Sequence, residues 1–143
     1  ELITSCHWPE NATPGKIAKK VSQNLRVLRK RGASVQFGVD AMDLEATLEA
    51  AARNQLFRAV IFGFPRASDL SGVRPENTAL MAGFFRSARR MLQPKGRVVV
   101  LMHESLMQID GSEELVPFDQ FEEWNVSGLA AQARLEPTGR LPF

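Results

Sequence analysis

Residues 60–68 read "VIFGFPRAS" and decide the fold, because they join an apolar run of strand length to an abrupt turn. The run through Phe62 is apolar at every position, which predicts a β-strand buried on both faces. Gly63, Phe64 and Pro65 end the run, since glycine permits a close approach of backbone or ligand and proline stops the ladder. The stretch is therefore either a structural turn or one wall of an active site.

Strand-like and helix-like segments alternate on both sides of this stretch. The predicted strands are "ELITSC", "ASVQFGVDA", "FRAVIFGF" and "GRVVVLMH", at residues 1–6, 33–41, 57–64 and 96–103. Apolar spacing predicts helices from Thr13 to Gly32, from about Leu44 to Asn54, from Pro75 to Pro94 and Gly96, and from about Phe118 to Ala133. A final edge strand is predicted within residues 135–143. The alternation predicts an α/β fold, a parallel sheet with helices on both faces.

The composition is that of a globular protein. Among 143 residues, 44% are hydrophobic and 24% are charged, which predicts one domain with a normal core. No apolar run approaches the ~20 residues that cross a bilayer. A single cysteine, Cys6, excludes an internal disulfide framework and a multi-cysteine metal site, and it fits a reducing compartment.

The formal net charge is only +2, but the first 40 residues hold seven Lys or Arg and three Asp or Glu. A weak positive face toward a polyanion is one interpretation, and solvated helix faces are the more common one.

Ligands of open α/β sheets bind beyond the carboxyl ends of the strands. Asp40 follows one such end, where its carboxylate either accepts hydrogen bonds from a ligand or caps a helix, and both roles are compatible. His7 follows another end, as a base, a metal ligand or, more commonly, a loop histidine without a special role. His103 and Glu104 end the fourth strand as a possible polar pair.

In "GFPRAS", Phe64 offers a stacking surface for a planar base, and Arg66 offers donors for a phosphate. The alternative is a tight structural turn whose Phe64 packs inward.

Several motifs, in order, resemble one known family. They are "ITS", "NLRVLRKRG", "VQFGVDAMDL", "FRAVIFGFPRAS", "NTALMAGFFRSARRMLQPKGRVVV", "FEEWNVSGLAAQARL" and "LPF". The chain is similar, over nearly all its length, to the Rossmann-like methyltransferase domain of the large-subunit ribosomal RNA uridine-N3 methyltransferase-like family. That domain also occurs in a ferredoxin-fold anticodon-binding-domain protein. The resemblance implies a class I methyltransferase fold and an S-adenosylmethionine-dependent enzyme that methylates a base nitrogen in RNA.

The resemblance also implies roles for individual residues. The implied cofactor-binding residues are Ser5, His7, Asp40 and Ala41, the last two near the adenine. The implied catalytic stretch beside the transferred methyl group is Gly63, Phe64, Pro65 and Arg66. The residues expected to contact RNA are Arg66, Arg86, Arg89 and Arg90, available for phosphates, and Asn77, which matches a family asparagine. No metal is implied.

The chain departs from the family pattern in ways that leave two functions open. Gly63 and Arg66 replace the polar ends of an Asn-Phe-Pro-His stretch, and His7 replaces an acid that holds the cofactor ribose. The first function is an RNA methyltransferase. The second is a non-catalytic methyltransferase-like scaffold in ribosome structure or assembly, in the nucleolus or the mitochondrion, with rRNA and ribosomal or assembly proteins as partners.

The family's opening Gly-Glu-Gly-x-Phe-Ser segment, its first strand and glycine loop, is absent from the chain. In the family this strand lies between the strands at Leu2 and Val60. Without it, two apolar strands expose unpaired backbone groups, each costing about 1–3 kcal/mol when buried. The chain also begins at Glu1 inside a predicted strand. We therefore expect an upstream segment or a partner chain to supply the strand, and residues 1–143 to be one N-terminally incomplete domain.

Overall fold

A computed structural model describes residues 2–6, 15–65, 75–102, 104–108, 115–119, 122 and 124–139. Its elements are β1 (Ile3–Cys6), α1 (Gly15–Lys30), β2 (Ser34–Phe37), a 3-10 turn (Ala41–Asp43), α2 (Leu44–Thr47), α3 (Ala50–Arg53), β3 (Phe57–Gly63), α4 (Pro75–Met91), β4 (Leu92–Leu101), β5 (Glu104–Gln108), β6 (Leu115–Asp119) and α5 (Val126–Gln132). The predicted α/β class is confirmed. None of the described helices combines the length and the hydropathy needed to cross a bilayer.

The described strands form three separate pairs. β1 lies parallel to β2, with Ile3 opposite Ser34, and β3 lies parallel to β4, with Ile61 opposite Val99. β5 and β6 form an antiparallel hairpin. The parallel pairing is as predicted, but the described strands do not join into one sheet, and β1 does not pair with β3. The class I Rossmann-like arrangement therefore stays a prediction.

Helix α4 organises the hydrophobic core. Its buried side chains include Met81, Phe84, Phe85, Ala88 and Met91, which recur at helical spacing along one face. The inward side chains of β3 and β4 pack against this core, at Val60, Phe62, Val98 and Val100. The rings of Phe62 and Phe84 have centroids 4.6 Å apart, within the range of favourable aromatic pairs. Proline at the first position of α4 is favourable there, as the sequence predicts.

The other face of the β3–β4 pair is uncovered by the described residues. Side chains alternate between the faces of a strand, so Ile61 and Val99 point away from α4. Ile61 is 63% exposed and Val99 is 40% exposed. The prediction that β3 is buried on both faces is therefore wrong for the described part of the chain.

The predicted helix from Leu44 to Asn54 is interrupted. Leu48 is extended, with φ −69° and ψ 148°, and separates α2 from α3. Side chains satisfy the backbone at this break: the Glu49 N–H donates to Gln36 Oε1 at 3.0 Å, and Arg53 Nη2 donates to the carbonyl of Leu48 at 3.1 Å. These bonds allow Leu48 to bury its side chain without a helical backbone.

Two further boundaries differ from prediction. Pro94 and Gly96 do not end α4; the helix ends at Met91, and β4 begins at Leu92, opposite Phe57, with a register shift before Ala59. Within the predicted helix at residues 118–133, the first two residues belong to β6, residue 122 is helical, and Val126–Gln132 form α5. Residues 135–139 form no strand, so a final edge strand is not observed in the described part of that segment.

Replacing Phe84 tests the central place of α4. Phe84→Ala removes a ring that is 2% exposed, so it should lower the free energy of unfolding by about 3–5 kcal/mol in urea denaturation of the complete protein. Leu56→Ala, at a position 52% exposed, is the control and should change it by less than about 0.5 kcal/mol. Equal effects would contradict this description of the core.

Candidate functional site

The turn after β3 holds an exposed aromatic ring in a strained backbone. The Phe64 N–H donates to the carbonyl of Leu101 at 2.7 Å, which ties the turn to the end of β4. Phe64 has φ 53°, in the left-handed region that bulky side chains rarely adopt. Its side chain is 56% exposed, whereas Pro65 is buried. The alternative in which Phe64 packs inward is therefore wrong.

Strained residues persist only where the surrounding structure fixes them, and they cluster at ligand sites. Phe64 lies at the carboxyl edge of a parallel strand pair, where α/β proteins bind ligands. An exposed aromatic face at this edge is suited to stacking against a planar base. Gly63, the last residue of β3, is also exposed. Arg66 and His7 lie outside the described residues.

Asp40 caps the turn that follows β2. Its Oδ1 accepts a hydrogen bond from the Met42 N–H at 2.8 Å, and its own N–H donates to Thr47 Oγ1 at 3.0 Å. The helix-cap interpretation of Asp40 is confirmed. Among the described residues, the hydrogen bond to the Asp40 carboxylate is accepted by Oδ1 and none by Oδ2. Ala41 is half-buried beside it.

Helix α4 holds the backbone after this turn through a buried hydrogen bond. The Leu44 N–H donates to Ser87 Oγ at 2.8 Å, and the Ser87 side chain is completely buried. One helical turn further on, Arg90 Nε donates to Glu45 Oε2 at 3.0 Å in a solvent-exposed ion pair. Exposed pairs contribute little, so the buried bond is the stronger of the two.

Gly83 of α4 allows the side chain of Met42, in the turn after β2, to pack closely against the helix. A Cβ atom at Gly83 would lie 2.8 Å from Cγ of Met42, below any normal contact distance. Glycine is unfavourable inside a helix by about 1 kcal/mol relative to alanine, so the position has a packing reason. Sequence reasoning missed both Gly83 and Ser87 as positioning residues. The only signal was a glycine within a strongly apolar helical pattern.

Ser5 lies near the end of β1, opposite Gln36 of β2, and its side chain is exposed. The Ser34 N–H donates to the Leu2 carbonyl, so Leu2 and Thr4 direct their backbone groups toward β2. Backbone groups of consecutive strand residues point to opposite edges. Those of Ile3 and Ser5 therefore face the unpaired edge of β1.

The described residues that are expected to contact RNA differ in exposure. Arg86, Arg89 and Arg90 are exposed on the second half of α4. Because α4 runs back from the carboxyl end of β3 to the start of β4, these arginines lie toward the edge opposite Phe64. Asn77 is 1% exposed and has a partner within the protein. Their contacts with RNA stay a prediction.

No group of three His, Cys, Asp or Glu side chains suited to a metal ion occurs within the described part of the chain.

Comparison with known proteins identifies the relatives of this chain. The family described as "rRNA (uridine-N3-)-methyltransferase BTM5-like" matches residues 1–143. The chain is 34% identical over 131 residues to "Heavy metal-associated isoprenylated plant protein 41" of Arabidopsis thaliana, covering 87% of this chain and 22% of that protein. It is 32% identical over 126 residues to "Ferredoxin-fold anticodon-binding domain-containing protein 1" of Homo sapiens, covering 85% of this chain and 19% of that protein.

The mouse homolog of the latter is 39% identical over 80 residues, 56% of this chain and 12% of that protein. The chain thus spans about a fifth or less of the length of these relatives. No solved structure matches it.

Ser87→Ala tests whether α4 holds the Asp40 turn. The variant leaves the buried Leu44 N–H without its acceptor, so the free energy of unfolding of the complete protein should fall by about 1–3 kcal/mol. Ser22→Ala, on the exposed side of α1, is the matched control and should change it by less than about 0.5 kcal/mol. If the two variants unfold at the same urea concentration, the Ser87 bond does not stabilise the turn.

Proposed function

The chain belongs to the BMT5-like family of rRNA (uridine-N3-)-methyltransferases, and we propose that it is part of an S-adenosylmethionine-dependent unit that methylates a base nitrogen of rRNA. The observation that carries the proposal is the pair of features beyond the carboxyl ends of parallel strands. One is the strained, exposed Phe64 after β3; the other is the Asp40 turn after β2, which α4 braces.

The residues of the Asp40 turn fit a nucleoside cofactor. Asp40 Oδ2, which accepts no hydrogen bond from the described residues, would accept one from a hydroxyl or an amine, and Ala41 would offer a small apolar surface to a flat adenine. Ser5 adds an exposed hydroxyl at the end of β1. S-adenosylmethionine, when bound, supplies an electrophilic methyl group. Asp40, Ala41 and Ser5 would then fix its orientation.

Phe64 would hold the acceptor base. Stacking on an aromatic face is worth about 1–3 kcal/mol per base and fixes the plane of the ring, which directs a ring nitrogen toward the methyl group. Placing donor and acceptor in line supplies most of the rate enhancement of such a reaction. The ring nitrogen would lose its proton to water and S-adenosylhomocysteine would be the leaving group, so the proposed transfer does not depend on a side chain at Gly63 or on Arg66 as a base.

We further propose that a strand from outside residues 1–143 pairs with both β1 and β3 and completes a Rossmann-like sheet. The Phe64 N–H donates to the Leu101 carbonyl, so the backbone groups of Phe62 also point to β4. Because backbone groups alternate along a strand, those of Ile61 and Gly63 point to the other edge. Ile3 and Ser5 do the same on β1. The two unpaired edges belong to the strands that the family pattern places on either side of its central strand.

A second function is a non-catalytic scaffold that binds rRNA during ribosome assembly, in the nucleolus or the mitochondrion. The exposed Arg86 and Arg89 favour it, because they can contact phosphates without any role in methyl transfer. Ribosomal or assembly proteins would be the further partners.

Asp40→Asn tests the proposed role of Asp40 in cofactor binding separately from its role in capping the turn. Asparagine caps helices as well as aspartate, but the ligand loses a charged acceptor, and a hydrogen bond to a charged group is worth about 1.5–3 kcal/mol. Calorimetry on the complete protein should therefore show S-adenosylmethionine binding at least about tenfold weaker. Asp43→Asn is the matched control, since Asp43 caps α2 through the Ala46 N–H at 3.3 Å, and it should bind normally.

Absence of any heat at millimolar cofactor in the wild-type protein would end the methyltransferase proposal. rRNA binding without cofactor binding would support the scaffold.

Amide hydrogen exchange tests the added strand. In the complete protein, the amides of Ile61 and Gly63 should exchange as slowly as that of Phe62, which is already directed at β4, because each would donate to the added strand. Residue-resolved exchange by NMR measures this directly. If Ile61 and Gly63 exchange at the rate of exposed loops while Phe62 is protected, no strand occupies that edge.

A further inference from the structure

The amino-terminal edge of the β3–β4 pair carries a depression of about 560 Å³ with three cationic side chains. Its lining residues are Arg58, Ala59, Gln93, Pro94, Lys95, Gly96 and Arg97. None of the described residues that line it is acidic. The depression lies at the opposite end of the strands from Phe64, because Arg97 is opposite Ala59 near the start of β3, whereas Leu101 is opposite Gly63 at its end.

The backbone around the depression is fixed. The side-chain amide of Gln93 donates to the Leu56 carbonyl at 2.8 Å and ties the start of β4 to the segment before β3. A Cβ at Gly96 would lie 2.9 Å from the Gln93 carbonyl oxygen and 3.0 Å from that of Phe57, so the two strands meet there without room for a side chain. These contacts hold the two strands together where the cations lie.

Arg58 and Lys95 each lie at an irregularity of the backbone. The β3–β4 register shifts between Phe57 and Ala59, which leaves Arg58 exposed at the shift. Lys95 has φ 63°, a left-handed conformation that is unfavourable for lysine. Such positions persist where the surroundings enforce them, and they mark candidate ligand sites.

The three positive charges are not compensated within the described part of the chain. Arg58, Lys95 and Arg97 form no ion pair there, in contrast to Arg90, which pairs with Glu45. Three like charges around one depression repel one another and so favour an anion between them. Arginine pairs bidentately with phosphate oxygens, and lysine adds a compact charge.

We propose that this cluster binds the phosphodiester backbone of the RNA substrate at a distance from the base that is methylated. The proposal rests on the proposed RNA-directed function and adds a second contact to it. The described lining residues offer cations and amide groups and include no aromatic ring, so they suit phosphates better than a base. Arg58 and Phe64 are six residues apart along an extended strand, which at about 3.3 Å per residue puts the cluster about 20 Å from Phe64.

Its position explains what the contact does. Backbone phosphate contacts fix the register and orientation of a nucleic acid but carry little sequence information. A contact at the amino edge, with Arg89 and Arg90 in the last turn of α4 at the same edge, would hold the flank of the RNA while the target base reaches the carboxyl edge. The cluster therefore acts on affinity and orientation, and it does not touch the reacting atoms.

The test is a salt titration of RNA binding by the complete protein, with a fluorescein-labelled 20-nucleotide oligouridylate as the probe. The variant R58Q/K95Q/R97Q should reduce the slope of log K against log[KCl] by about 2, since each single-strand phosphate contact contributes about 0.7. Its affinity should fall about 100-fold at 0.1 M KCl, and the two curves should converge toward 1 M. The charge-conserving variant R58K/K95R/R97K should retain most of the slope.

R26Q/K30Q/R31Q is the matched control, because it removes three exposed cations from the end of α1 and the residue after it and changes the net charge equally. It should leave the slope near that of the wild type. An equal fall in both triple variants would mean that only overall charge matters and would overturn the proposal, as would an unchanged slope in R58Q/K95Q/R97Q.

Calorimetry distinguishes RNA from a small phosphate ligand. Inorganic phosphate titrated at constant ionic strength should give no saturable binding below the millimolar range. Saturable binding that disappears in R58Q/K95Q/R97Q would assign the depression to a free phosphate compound and overturn the RNA proposal. S-adenosylmethionine binding should be the same in wild type and variant, so a failure of the cofactor proposal is seen separately.

Discussion

The packing of α4 is the constraint on which the rest of the structure depends. One face of this helix covers the inward side chains of β3 and β4, and the same helix holds the segment after β2 through Gly83 and Ser87. The two contacts stabilise the structure through different interactions. The first is burial of large apolar groups, which tolerates some change in shape. The second is the packing of the Met42 side chain against Gly83, which leaves no room for a Cβ atom, together with one buried hydrogen bond that depends on its geometry.

The sequence predicts the elements better than it predicts how they join. The apolar run through Phe62 and the proline at position 75 locate β3 and the start of α4, because burial and helix-start preferences act locally. Pro94 and Gly96 are strong local signals for a helix end, yet they lie inside β4. What decides this is the pairing of Leu92 with Phe57, residues that are far apart in the sequence. Leu48 likewise leaves the helical pattern because Gln36 and Arg53 satisfy the neighbouring backbone.

The sequence predicts where the candidate site lies, but it does not predict the conformation of every residue in it. Asp40 could be located because it follows a strand and precedes helical sequence, and it does cap the turn. The left-handed conformation of Phe64 could not, since it occurs together with a hydrogen bond to the carbonyl of Leu101, a residue far away in the sequence. The exposed Phe64 and the exposed Ile61 share one origin. Both follow from the β3–β4 pair having α4 on one face only, which leaves side chains of its other face and of the turn after β3 exposed among the described residues.

The two halves of the proposed site belong to different strand pairs. Ser5 and Asp40 follow β1 and β2, whereas Phe64 follows β3. Neighbouring strands lie about 4.8 Å apart, so a single strand between β1 and β3 would set their separation at about 10 Å. The cofactor and the target base would then lie next to each other only when the added strand occupies the space between β1 and β3. Any ligand that contacts both halves binds the joined form alone, so its binding energy also stabilises the joined sheet. Sheet completion and ligand binding at this edge are, on this proposal, a single linked equilibrium.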